Sequence, residues 1–174
     1  MPVHRYPTAG ETYDALATHI VAAGRSAIAA RGAFHFALAG GATPKPAYEL
    51  LATAPYTSQL DWRAVHVYFG DERCVPPTHM ASNYRMVQTA LLAHVPIPNL
   101  QIHRMQCEHE PQTAAQHYHR ILQALAPRPG QPPALDFVLL GMGADGHIAS
   151  LFPGSTLLAE RTQLAAATYA EGTQ

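Results

Sequence analysis

The sequence is poor in charge, and its few basic residues are not clustered. Charged residues make up 13% of the 174 positions, and 11 Lys and Arg against 12 Asp and Glu leave a net charge of −1 with histidine neutral. Scattered basic residues exclude the electrostatic footprint of a protein that binds nucleic acid or an anionic membrane. No apolar run approaches the length that crosses a bilayer, so a membrane span is not indicated.

Cysteine is also scarce, and metal-ligand spacing is lacking. Cys74 and Cys107 are the two cysteines, and their wide separation favours free thiols in a reducing compartment. Residues 1–10 contain no apolar core of a signal peptide. Among the 11 histidines, none has partners at metal-ligand spacing, and His117 and His119 would point to different faces of a helix. We therefore expect a cytoplasmic protein without a metal site.

What the chain does contain is an alternation of helical and strand periodicity. The pattern predicts helices over 11–31, 47–52, 83–93 and 111–125, and strands over 34–39, 65–69, near 100–103 and over 135–140. Such alternation is typical of βαβ units. It predicts a three-layer α/β fold of the Rossmann-like kind, with a mainly parallel sheet and helices on both faces. The length and the 48% hydrophobic content fit a single domain over 1–174.

Three of the predicted strands, at 34–39, 65–69 and 135–140, each end in a glycine turn that carries polar side chains. The carboxyl ends of parallel strands lie at one edge of the sheet, which is where ligands bind in open α/β folds. Three loops that are distant in sequence are therefore expected to form one pocket.

The first of these loops has the composition of a phosphate site. Gly40 and Gly41 let backbone amides approach a ligand, Thr43 adds a hydroxyl and Lys45 a cation. The spacing is neither that of a Walker loop nor that of a dinucleotide-binding turn. Taken alone, a tight turn without a ligand is an equally good interpretation.

The second loop places Asp71, Glu72 and Arg73 directly after an apolar strand. Arg73 offers a planar fork for phosphate or carboxylate. The two carboxylates can accept hydrogen bonds from sugar hydroxyls or orient a base. For this loop alone, a solvated turn with a local Asp–Arg pair is the slightly favoured alternative.

The third loop carries Asp145 and His147 among three glycines. Histidine titrates near neutral pH and is therefore the natural general base. Asp145 can hold the imidazole in one tautomer or bind substrate hydroxyls. The alternative is a helix-capping Asp beside a structural His, which the surrounding glycines make less attractive.

Taken together, segments 38–44, 69–73, 82–86 and 141–153 resemble the 6-phosphogluconolactonases, in order and over residues 34–154. The related glucosamine-6-phosphate deaminases look like Asp-Glu-Tyr where this chain has Asp71-Glu72-Arg73. They also carry Asn-Glu-Pro where this chain has Leu151-Phe152-Pro153. Phe152 thus replaces a glutamate that supports ring-opening proton transfer, so the resemblance favours the lactonases.

The resemblance implies hydrolysis of 6-phospho-D-glucono-1,5-lactone to 6-phosphogluconate in the oxidative pentose phosphate pathway, with no cofactor and no obligatory metal. It implies a general base, His147, helped by Asp145 and Asp71. The residues expected to hold the phosphate are Gly40, Gly41, Thr43 and Arg73.

Members of that family continue beyond the length of this chain, with further strand and helix. We therefore expect residues 1–174 to form a single lactonase-like domain that lacks the family's C-terminal strands and helix. The alternative functions are a deaminase-like isomerase and a non-catalytic module that binds phosphosugars.

Overall fold

The computed structural model describes residues 3–128 and 130–169. The helices are α1 (Ala9–Arg31), α2 (Lys45–Leu51), α3 (Asn83–Ala90) and α4 (Pro111–Gln123), and the strands are β1 (Phe34–Leu38), β2 (Val65–Phe69) and β3 (Phe137–Val138). Short 3₁₀ turns lie at Tyr56–Ser58, Trp62–Ala64, Leu92–His94, Asn99–Gln101 and Thr156–Ala159. In these described ranges, no helix is both long and apolar enough to cross a bilayer.

The strands form a parallel sheet in the order β2-β1-β3, with β1 in the centre. Phe36 of β1 pairs with Val67 on one side and with Phe137 on the other. Parallel neighbours need long crossover connections. Here α2 lies between β1 and β2, and α3 and α4 lie between β2 and β3. The prediction of an α/β fold with a parallel sheet is confirmed.

One face of the sheet packs against α1, α2 and α3. Phe34, Phe36 and Leu38 alternate along β1 and are almost completely buried, as are Val65 and Val67 of β2. Period-two alternation sends these residues to one side, where they meet the apolar stripes of the helices. This side of the sheet therefore holds the main hydrophobic core.

The opposite face is polar at its centre. His35, His66 and His103 lie half-buried beside Tyr68, and the ring of Tyr68 stacks on that of His103 with centroids 4.6 Å apart. His35 Nδ1 and the Tyr68 hydroxyl are 3.1 Å apart, within hydrogen-bond distance. Burial lowers the pKa of all three histidines below the usual range. The rings of His66 and His103 stack with centroids 5.7 Å apart, and the ring of His35 lies against that of His66 at a tilt of 31°.

The ends of two helices follow the sequence signals. Thr8 caps α1 by accepting a hydrogen bond from the Glu11 amide, and Gly32 ends the helix with φ 76°. Ser82 caps α3 by accepting a hydrogen bond from the Arg85 amide at 3.1 Å. Helix α3 is shorter than the predicted 83–93, because Leu91 leaves helical geometry at φ −137° and is completely buried in the core.

The strand predicted near 100–103 is wrong. Pro98 accepts a hydrogen bond from the Gln101 amide at 2.8 Å, and this turn removes residues 99–101 from any ladder. What remains is a single parallel bridge between Ile102 and Val67. The proline fixes its own φ and favours the turn over an extended segment.

The last strand is shorter and less buried than the predicted 135–140. Only Phe137–Val138 is strand, although the backbone amides of Asp136 and Leu139 still donate to β1. Val138 and Leu140 are 46% and 53% exposed. Phe137 and Leu139 pack against the core, whereas Val138 and Leu140 lie on the other face of β3 and stay exposed in the described structure, so the apolar run alone does not indicate burial on both faces.

Candidate active site

A cleft of about 260 Å³ opens at the carboxyl ends of β1, β2 and β3. Six of the seven predicted site residues line it: Gly40, Gly41, Thr43, Asp71, Arg73 and His147. The seventh, Asp145, contacts the imidazole of His147. The three loops predicted to converge therefore do meet at one place.

The loop after β1 is shaped by close packing against α3. A Cβ atom added to Gly40 would lie only 2.0 Å from Oδ1 of Asn83, so no larger residue fits here without a shift. Gly41 has φ 86°, a left-handed conformation that favours glycine. The Tyr48 hydroxyl donates to the Ala39 carbonyl at 2.8 Å and anchors the loop. Lys45 pairs with Glu49 at 3.4 Å and is not among the residues lining the cleft.

In the loop after β2, Glu72 binds the start of α3. Its carboxylate accepts hydrogen bonds from the backbone amides of Asn83 and Tyr84, at 2.7 and 2.8 Å, and from the Ser82 hydroxyl at 3.1 Å. The amides at a helix start have no partner within the helix, and a carboxylate there is also favoured by the helix dipole. Glu72 thus fixes the start of α3 beside the cleft.

Asp71 is held from two sides. Asn83 Nδ2 donates to its Oδ1 at 3.0 Å, and the Ser150 hydroxyl donates to its Oδ2 at 2.7 Å. Asn83 itself is 3% exposed, so this end of the carboxylate has a rigid partner. Arg73 is exposed at the rim, and its Nη1 donates to the Ala81 carbonyl at 3.3 Å. No Asp71–Arg73 ion pair occurs in the described structure.

The third loop holds an Asp–His pair. Oδ1 of Asp145 lies 2.6 Å from Nδ1 of His147 and also accepts a hydrogen bond from the His147 amide at 3.2 Å. The hydrogen bonds from the amide and from the ring hold the pKa of Asp145 below its usual range. An ionised Asp145 accepts a hydrogen bond from Nδ1–H, which leaves Nε2 of His147 as the basic nitrogen.

Two neighbours confine the imidazole of His147. A Cβ atom added to Gly143 would lie 2.2 Å from its Cε1 and 2.7 Å from Oδ1 of Asp145. The ring of Phe152 lies on the imidazole with centroids 4.7 Å apart. Gly143 therefore leaves the space that the Asp–His pair occupies, and Phe152 covers it.

Sequence reasoning did not assign a role to Asn83 or Ser150. Both lie in segments that carry the family resemblance, but a polar residue at a helix start or after a glycine loop does not reveal its partner. The glycine at position 40 is consistent with another side chain packing closely against this part of the loop. No residue pattern indicated that the side chain is Asn83.

No group of three or more His, Cys, Asp or Glu in the described ranges is arranged to hold a metal ion.

Comparison with known proteins points to one family. The sequence profile described as glucosamine-6-phosphate isomerases/6-phosphogluconolactonase matches residues 7–173. The chain is 38% identical over 151 residues to a 6-phosphogluconolactonase of Haemophilus influenzae, covering 87% of this chain and 62% of the relative. It is 45% identical over 141 residues to one of Nostoc, covering 80% and 57%. The chain thus spans little more than half the length of these curated relatives.

Solved structures of the same family are similar to this chain. The 6-phosphogluconolactonase of Trypanosoma brucei superimposes with a TM-score of 0.80 at 29% identity, over 99% of this chain and 72% of that one. A glucosamine-6-phosphate deaminase at 19% identity, with a TM-score of 0.67, shares the fold. The match over almost the whole length, together with the shared sheet, shows that the chain belongs to the family of glucosamine-6-phosphate isomerases and 6-phosphogluconolactonases.

Proposed function

We propose that the cleft hydrolyses 6-phospho-D-glucono-1,5-lactone to 6-phosphogluconate. The observation that carries the proposal is the Asp145–His147 pair, with Nδ1 and Oδ1 2.6 Å apart, on the same cleft as Gly40, Thr43 and Arg73. The first feature provides a base, and the second provides glycine amides, a hydroxyl and a guanidinium that suit a phosphate.

In the proposed reaction, Nε2 of His147 takes a proton from water as the water oxygen bonds to the lactone carbonyl carbon. The tetrahedral intermediate then collapses, and the bond between that carbon and the ring oxygen breaks. Protonated His147 returns its proton to the departing ring oxygen, which becomes a hydroxyl. The new carboxylic acid ionises and releases one proton for each turnover.

The phosphate serves as a remote anchor. Backbone groups of Gly40 and Gly41, with Thr43 and Arg73, would hold it while the lactone carbonyl reaches His147. Binding energy at a non-reacting group of this kind fixes the reacting atoms in place. Asp71, on the same wall, would accept a hydrogen bond from a sugar hydroxyl.

A deaminase-like reaction is the second candidate, and the contact between Phe152 and His147 makes it less favourable. Phe152 lies on His147, at the position where the resemblance places a glutamate in the deaminases. An aromatic ring cannot transfer a proton to an amino sugar as it opens.

The proposal is tested by acid release from freshly prepared lactone, measured above the spontaneous rate, with the intact chain and with His147→Ala. Loss of a general base is expected to lower turnover by about 10²–10⁴-fold, with binding of 6-phosphogluconate retained. A wild-type rate equal to background with retained binding would instead indicate a binding module. Ammonia release from glucosamine 6-phosphate would support the deaminase.

A further inference from the structure

The turn after the Asp–His pair is built in an unusual way. Residues 148–151 form a tight turn in which the Leu151 amide donates to the Ile148 carbonyl at 2.9 Å. Ala149 in this turn has φ 53°, the left-handed region in which a Cβ atom is unfavourable. Outliers of this kind persist only where surrounding contacts hold them, and they concentrate at functional sites.

The contact that accompanies this conformation is made by the next residue. The Ser150 hydroxyl donates to Oδ2 of Asp71 at 2.7 Å, in a partly buried position, and joins segments 79 residues apart in sequence. Asn83 donates to the other oxygen, Oδ1, at 3.0 Å. A hydrogen bond to each oxygen fixes both the position and the plane of the carboxylate.

We propose that Ser150 is a positioning residue that acts through Asp71. The inference rests on the proposed function: it assigns to Ser150 the task of holding Asp71 so that a lone pair of the carboxylate faces a hydroxyl of the phosphosugar. Ser150 also ties the His147 loop to the β2 loop, so the base and the sugar-binding carboxylate keep a constant spacing. Ser150 itself makes no contact with the substrate in this arrangement.

The test is a double-mutant cycle with Ser150→Ala, Asp71→Asn and the double variant. Ser150→Ala is expected to lower kcat/KM for the lactone by roughly tenfold to a hundredfold, the usual effect of losing a hydrogen bond to a charged group. If Ser150 acts through Asp71, the double variant is no slower than Asp71→Asn alone. Additive losses, or an unchanged rate in Ser150→Ala, would overturn the proposal.

A binding measurement separates this proposal from the proposed function. Ser150→Ala is expected to weaken 6-phosphogluconate binding while inorganic phosphate binds as before, whether or not the chain hydrolyses the lactone. Equal weakening of both ligands would mean that the variant has merely disordered the cleft, and would overturn the role assigned to Ser150. Ser58→Ala is the matched control, because the Ser58 hydroxyl donates to the Pro55 carbonyl at an exposed turn.

Discussion

The ring of Phe152 lies on the imidazole of His147, with centroids 4.7 Å apart and planes tilted by 38°. Only five positions separate the two residues, yet the contact requires the chain to turn back after the glycine loop. We infer that this contact limits the rotation of the proposed base.

Replacing Phe152 tests that role. Phe152→Ala is expected to lower kcat by up to about tenfold, because an aromatic contact of this kind contributes about 0.5–1.5 kcal/mol. Phe152→Leu, which keeps apolar bulk, should lose less. Steady-state kinetics on the lactone measures both, and 6-phosphogluconate binding should stay near the wild-type value. Equal kinetics in all three proteins would show that Phe152 does not restrain His147.

Gly143 and Gly141 form a matched pair for testing the Asp–His geometry. A methyl group at position 143 would collide with the His147 ring at 2.2 Å, whereas one at position 141 has nothing within 4 Å. Gly143→Ala should therefore lower kcat strongly, toward the level of His147→Ala, and Gly141→Ala should not. Circular dichroism and thermal unfolding would show whether both variants keep the fold. A large loss in Gly141→Ala, with little in Gly143→Ala, would contradict the geometry.

The carboxylate of Glu72 is expected to contribute to stability rather than to chemistry. Glu72→Ala leaves the first amides of α3 without their acceptor, and the loss is expected to be about 1–3 kcal/mol in the free energy of unfolding. Glu49→Ala is the control, because the exposed Lys45–Glu49 pair should contribute only about 0–1 kcal/mol. Urea unfolding of both variants measures the difference, and equal stabilities would contradict the role of Glu72.

The histidine face of the sheet predicts how stability depends on pH. Burial lowers the pKa of His35, His66 and His103, and neighbouring imidazoles lower it further at His66 and His103. At His35, Asp136 opposes the shift and Arg31 adds to it, while the Tyr68 hydroxyl lies beside the ring. Folding therefore weakens proton binding at these sites.

The direction of the pH dependence follows from the coupling between proton binding and folding. The unfolded chain, with histidine pKa near 6.5, binds more protons than the folded chain just below that pH. The free energy of unfolding should then fall as pH drops below about 6.5 toward the folded values, and hold steady above about 6.5. His66→Gln should flatten this slope in urea titrations, and His117→Gln, on the exposed side of α4, should not. A slope unchanged by His66→Gln would contradict the prediction.

Much of the cleft could be predicted because parallel strands deliver their carboxyl ends to one edge. Gly40, Asp71 and His147 each follow a strand, so topology alone brings them together. The length of β3 could not be predicted in this way. Val138 and Leu140 have strand-like apolarity, but their exposure depends on which elements cover that face, and apolarity does not encode this.

The hydrogen-bond partners of the side chains in the cleft also could not be predicted from the sequence. Asp71 and Glu72 are adjacent acidic residues, yet Asp71 lines the cleft whereas Glu72 accepts hydrogen bonds from the first amides of α3. The difference arises from the path of the loop, which places the start of α3 beside Glu72. The Ser150–Asp71 contact likewise depends on how two loops meet, and neither segment specifies it alone.

The central place of β1 has a thermodynamic consequence. Because the cleft draws on loops from the centre and from both edges of the sheet, it exists only when β2 and β3 are both docked on β1. A ligand held there binds the folded chain and not the unfolded one. Occupancy therefore stabilises the whole sheet: at a hundred times Kd, it adds about 2.7 kcal/mol to the free energy of unfolding. The free energy of unfolding of this chain should therefore rise with the concentration of any ligand that the cleft binds.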